Sequence, residues 1–194
     1  MTIPTALLPH LSLLFFLIVS AATAVAPPVP TGTAVIQANC QITDYYDLCL
    51  SSLLSRPGSS NVTSYGMGKL AFGPVFDGAK DSRRQLSKLM RGRLDPASKL
   101  VLRECGKQYD MAIYTLALSD SYMKSDAFKH FHKPGLYSAY DSVLFSVQDA
   151  EEEITKCGEM LKSQRGLVEP FKQKTEIVRQ LAAIASKILF YIVV

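Results

Sequence analysis

The sequence predicts an all-α fold, an up-and-down four-helix bundle preceded by an N-terminal helical hairpin and held by two disulfides, and three observations predict it. Apolar residues recur at alternating spacings of three and four over long stretches after residue 94, which is the period of a helix with one buried face. Breakers such as Asp95-Pro96 and Glu169-Pro170 separate those stretches. Four cysteines, an even number, fall at 40, 49, 105 and 157.

The first residues stand apart from this pattern. Leu7, Leu8 and the apolar run Leu11 to Val19, followed by Ala21-Ala22-Thr23-Ala24, read as a signal-peptide core with a small-residue cleavage site after Ala24, too short for a comfortable membrane span. Residues 1–24 are therefore set aside as a signal peptide, residues 25–39, with Pro27-Pro28-Val29-Pro30, as a spacer, and 40–194 as the folded domain, in which 40–57 form the hairpin. Lys187 interrupts the apolar C-terminal stretch, so it falls short of a spanning helix. A secreted, extracellular location in the cell wall follows as the expectation, with the vacuole as the alternative.

Asn61-Val62-Thr63 is an N-glycosylation sequon, placed just after the turn residues Arg56-Pro57-Gly58. Between Asn61 and Arg91, the residues Met67, Leu70, Val75, Ala79, Leu86, Leu89 and Met90 suggest a helix. Gly66, Gly68, Gly73 and Pro74 should break it near the middle.

Asp95-Pro96 opens the next helix, with Asp as N-cap and Pro at the first helical position, where a missing N–H costs nothing. Its stripe is Leu102, Cys105, Tyr109, Ala112, Leu116, Ser119 and Met123. After a break at His130 to Gly135 comes a second stripe, Tyr140, Leu144, Val147, Ala150, Ile154, Cys157 and Leu161, ended by Arg165-Gly166. Glu169-Pro170 opens the last helix, with the stripe Ile177, Leu181, Ile184 and Ile188. The stripe tyrosines, together with Tyr45, are read as core residues rather than interface anchors.

Cysteine pairing follows from the same layout. Two helices joined near residue 130 run antiparallel, Cys105 and Cys157 are nearly equidistant from that break, and both lie on core-facing stripes. Cys105 therefore pairs with Cys157 and Cys40 with Cys49, stabilising by about 4 and about 3 kcal/mol in the loop-entropy account.

Composition excludes several functions. The net charge of +4 comes from 21 basic and 17 acidic residues spread along the chain, without the concentrated basic stripe of a nucleic-acid binder. The cysteine spacings contain no C-x-x-C, so no metal is expected. Neither a nucleophile with its base nor a convergent acid–base pair is evident, so neither catalysis nor a cofactor is expected. Glu151, Glu152 and Glu153 are consecutive on a helix and point about 100° apart, which suits a solvated face. His130 and His132 could titrate near the acidity of a plant cell wall, although exposed loop histidines are the simpler reading.

The block Cys40-Gln-Ile-Thr43-Asp-Tyr45-Tyr-Asp-Leu-Cys49, followed by Leu53 and Arg56-Pro57, resembles the opening signature of the plant invertase and pectin methylesterase inhibitor family. Cys105 with Tyr109, Ala112 and Leu116 is similar to the helix of that family's third cysteine. Cys157, followed by a final apolar helix with Leu181, Ser186 and Leu189, completes the order. The resemblance implies a four-helix bundle with a helical hairpin and sequential disulfides, whose work is to cap the active site of a carbohydrate enzyme.

Two departures bear on the target. Gln148-Asp149-Ala150-Glu151-Glu152 stands where pectin methylesterase inhibitors resemble one another in Ser-Ala-Ala-Leu-Thr. Lys133-Pro134-Gly135 stands near the Pro-Lys-Phe of invertase inhibitors. Leu94-Asp95-Pro96-Ala97 and Val168-Glu169-Pro170 look more like the invertase-inhibiting branch. The expectation is therefore a secreted inhibitor, of an invertase more than of a pectin methylesterase. Its target contacts would be His130, His132, Lys133, Glu151 and Glu152, on the second and third bundle helices and the loop between them. The alternative is a non-inhibitory secreted structural or allergen-like bundle.

Overall fold

A computed structural model describes residues 32–64, 66–124, 137–164 and 168–193, and within them every regular element is a helix. Two short helices, α1 (Thr33–Gln41) and α2 (Tyr46–Leu54), form the N-terminal hairpin, and a single 3-10 turn follows at Ser59–Asn61. Four long helices make the bundle: α3 (Met67–Leu89), α4 (Pro96–Met123), α5 (Tyr137–Leu161) and α6 (Glu169–Val193). Each packs on its neighbours in sequence, and α6 returns to close the ring against α3. This is the up-and-down arrangement that short connections favour.

The hairpin starts earlier than the sequence reading placed it. Helix α1 begins at Thr33, inside the stretch 25–39 taken as spacer, because Val35 and Ile36 are buried in the core beside Cys40. Cys40 is bonded to Cys49 across the two helices, with their Cα atoms 5.6 Å apart. The hairpin is fastened to the bundle by polar bonds. Arg56 donates to Asp77 of α3 at 2.6 Å, Arg179 of α6 donates to the Tyr45 hydroxyl at 3.1 Å, and the Gly32 amide donates to the Val62 carbonyl at 2.9 Å.

Helix α3 is the clearest correction. It runs unbroken from Met67 to Leu89 with Pro74 inside it, whereas the glycines and proline predicted a broken helix. The glycines are seats for neighbours rather than breakers. A Cβ at position 73 would overlap the guanidinium of Arg56, which crosses α3 there to reach Asp77. A Cβ at position 68 would come within 2.6 Å of a Tyr140 ring carbon and 2.9 Å of a Leu189 methyl. Close packing across three helices outweighs the intrinsic cost of each glycine, about 1 kcal/mol.

Gly68→Ala weighs the two effects directly. Alanine gains at most about 1 kcal/mol in propensity, and less in a first turn, whereas forcing a methyl into a packed core costs about 1–3 kcal/mol. The variant is expected to be less stable in urea, and a higher midpoint would show that Tyr140 and Leu189 yield freely.

Helices α4 and α5 bury the predicted stripes in full, from Leu102 to Met123 and from Tyr140 to Leu161. Asp95 caps α4, accepting from the Ser98 amide at 2.9 Å. Helix α6 is rotated relative to expectation. Its core face is Phe171, Thr175, Val178, Ala182, Ala185 and Leu189, with Ile184 and Ile188 beside it, while Ile177 is 46% exposed and Leu181 half-buried. Facing this, Tyr109 packs its ring tilted against Phe171 at 5.9 Å between ring centroids and donates to the Thr175 hydroxyl at 3.1 Å. Burial, opposed by that hydroxyl, pushes the Tyr109 phenol above its ordinary pKa.

Candidate functional site: the outer face of α4 and α5

Bundle helices bury one stripe and present the opposite one to solvent, so a helix with apolar residues on both faces has a surface in search of a partner. Helix α4 is such a helix. Met111, Tyr114 and Leu118 repeat at spacings of three and four on the side away from Cys105 and Tyr109, and they are 53%, 62% and 56% exposed. On α5, Phe145 is 62% exposed.

The Cys105–Cys157 bridge brings these residues to one level. It joins the antiparallel helices with Cα atoms 4.7 Å apart and fixes their register. Leu118 and Leu144 lie equally far from it, and Tyr114 and Phe145 come within about one helical turn of each other along the bundle axis. Both backbones are braced by a fully buried stripe, so the exposed residues stand on a rigid platform. Around them are short polar side chains: Ser121 and Ser142 are exposed and Thr115 is half-buried.

The predicted contact residues distribute differently. His130, His132 and Lys133 lie outside the described residues, as does the break that contains them. Glu151 is half-buried on the other flank of α5, where the Ser186 hydroxyl of α6 donates to it at 3.4 Å. Glu152 is exposed and pairs with Lys156 at 2.9 Å, a surface ion pair that Glu153 shares at 2.8 Å. The structure thus separates Glu151, turned toward α6, from Glu152, which faces solvent. Asn61 is exposed at the end of the 3-10 turn, and the side chain of Thr63 is also exposed.

Burial of the Glu151 carboxyl raises its pKa, opposed by the Ser186 hydroxyl and by the positive charge of Arg179. The sign of the consequence follows from linkage. A carboxyl whose folded pKa lies above its unfolded value weighs against the folded state once pH rises past the unfolded value, and costs nothing where both states are protonated. Glu151→Gln is therefore expected to melt at a higher temperature than the parent at pH 7, the gap closing as pH falls below the ordinary Glu range. A gap that is constant with pH would show that Glu151 stays ionised in the fold without cost.

Among the described residues no group of three or more His, Cys, Asp or Glu could hold a metal, and no helix is long and apolar enough to cross a membrane. What the outer face offers is a firm, partly aromatic surface for another protein.

Comparison with known proteins bears on the fold. The model of the family described as plant invertase/pectin methylesterase inhibitor matches residues 34–188. The cell wall / vacuolar inhibitor of fructosidase 2 of Arabidopsis thaliana is 25% identical over 185 residues, which cover 92% of this chain and 96% of that protein. Crystal structures of a pectin methylesterase inhibitor from Arabidopsis share the fold. A mutant form superposes with a TM-score of 0.63 at 22% identity, over 83% of this chain and 97% of that one. A second structure gives 0.54 at 20% identity, over 81% and 95%.

Proposed function

Because this chain belongs to the plant invertase/pectin methylesterase inhibitor family, we propose that it inhibits one such enzyme stoichiometrically by laying the outer face of α4 and α5 over the active site. The observation that carries the reading is the exposed set Met111, Tyr114, Leu118 and Phe145 on a disulfide-braced helix pair. Aromatic side chains on a rigid support are what concentrate binding energy at interfaces. Glu152, and His130, His132 and Lys133 from the segment between the helices, would form the polar rim.

An invertase is favoured as the target over a pectin methylesterase. The similar protein named as an inhibitor of fructosidase matches almost end to end, and the blocks Leu94 to Ala97 and Val168 to Pro170 point the same way. The two pectin methylesterase inhibitor structures speak for the fold alone. Residues 1–24 would direct secretion and be removed, Asn61 would carry a glycan, and the protein would act in the cell wall or vacuole.

Titration of the purified protein against a plant acid invertase and, separately, a plant pectin methylesterase near the acidity of the cell wall tests this. Invertase activity is expected to fall linearly to zero near one equivalent while the esterase keeps its activity. The reverse pattern would move the target to the esterase. Full activity of both at tenfold excess would leave a non-inhibitory bundle.

A further inference from the structure

The basic residues are less dispersed than the overall composition suggests. Between Arg83 and Lys107 lie eight basic and two acidic residues, a local charge of +6 in a chain that carries +4. The fold gathers them at one end of the bundle, on the last turns of α3, the connection that follows it and the first half of α4. A shallow groove between the two helices is lined by Arg83, Ser87, Arg103, Lys107 and Asp110, among others.

Pairing accounts for only part of this charge. Arg83 holds Asp110 across the groove at 2.7 Å, Arg84 holds Asp81, and Lys107 holds Glu104. Lys88, Arg91, Arg93, Lys99 and Arg103 have no carboxylate partner among the described residues, and all but half-buried Lys99 are exposed.

Helix stability does not explain these positions. Lys99, Arg103 and Lys107 follow one another at four-residue spacing, where like charges repel. Lys99 also stands in the first turn of α4, at the end of the helix dipole that disfavours a cation. A stripe that costs the helix a few tenths of a kcal/mol at each step is one whose use lies outside the helix.

We propose that this end of the bundle binds a linear acidic polysaccharide, a polyuronate with carboxylates on successive sugars. Five of the eight cations are arginines, whose planar forks match carboxylates in paired hydrogen bonds. No aromatic residue lies between Phe76 and Tyr109, so the surface lacks the stacking platforms of single-strand nucleic-acid binders and the ring anchors of membrane-surface helices. Removal of methyl esters from pectin leaves a polymer of this chemistry. Only the extracytoplasmic placement is taken from the function proposed above, and binding measured without any enzyme stands or falls separately from inhibition.

The test is binding of the purified, disulfide-intact protein to polygalacturonate, to the same polymer fully methyl-esterified, to a DNA duplex and to phosphatidylserine vesicles. Polygalacturonate should bind most tightly, its affinity falling at least about tenfold between about 50 and 200 mM salt, as counterion release requires. Arg91→Gln/Arg93→Gln/Arg103→Gln should weaken binding about tenfold or more. Lys69→Gln/Lys124→Gln/Lys187→Gln, which removes the same charge from the opposite end of the bundle, should leave it within about twofold. Equal binding to the esterified polymer, equal losses in the two variants, tighter binding to duplex or vesicles, or no binding at low salt would each overturn the proposal.

Discussion

Replacing Cys105 and Cys157 together by alanine is expected to lower the stability of the bundle by about 4 kcal/mol, a shift of roughly 8–16 °C in melting temperature for a chain of this size. The bridge closes a loop with 52 residues of sequence separation, and both sulfurs are fully buried between α4 and α5. Releasing that loop restores entropy to the unfolded chain, and the two alanines leave unfilled space in the core as well. The same change at Cys40 and Cys49 should cost about 3 kcal/mol, because that loop spans only 9 residues. Urea unfolding of the two double variants decides the matter. An equal or smaller loss at Cys105 and Cys157 would mean that packing of the buried stripes already holds α4 on α5 and that loop entropy is not the governing quantity.

Tyr114→Ala and Phe145→Ala are expected to weaken inhibition by about thirtyfold each, equivalent to the 2 kcal/mol that marks an interface hot spot. Both side chains are 62% exposed, so their removal should leave melting temperature nearly unchanged, within about 0.5 kcal/mol. Ile177→Ala supplies the contrast. Ile177 is also exposed and apolar, but it stands on α6, away from the proposed face, and its loss should leave inhibition unaltered. Inhibition constants for the three variants against the sensitive enzyme provide the measurement. If Ile177→Ala weakens inhibition as much as Phe145→Ala, the target sits on a different side of the bundle.

The parts of the fold legible in the sequence are those where one apolar stripe keeps its phase along the whole helix. Helices α4 and α5 satisfy that condition well enough for their stripes to be placed residue by residue, and their cysteines follow. Helix α6 does not. Apolar residues occupy Ile177, Val178, Leu181, Ala182, Ala183, Ile184 and Ala185 in near succession, so periodicity alone leaves the phase open. The true core face uses the small Ala182 and Ala185 and the hydroxyl of Thr175, which the large isoleucines outweigh in a count of hydrophobicity. In α3, local propensity predicts a break at Gly73 and Pro74, but Gly73 is where Arg56 crosses the helix, a contact between residues too far apart in sequence for a local pattern to reveal. The outer apolar face of α4 also leaves a trace in the sequence. Met111, Tyr114 and Leu118 have the same spacing as the core stripe and sit on the opposite side, so a second periodic set was present in the same helix.

The two bridges close loops that do not overlap, one from 40 to 49 and one from 105 to 157. In a chain threaded amino terminus first into an oxidising compartment, as the proposed secretion requires, Cys40 and Cys49 arrive before Cys105. During that interval the first pair has no wrong partner within the chain, and the second pair then meets only itself. Three pairings are open to four free thiols, but the order of synthesis presents the native one first, so vectorial oxidation can reach the correct framework without a reshuffling step.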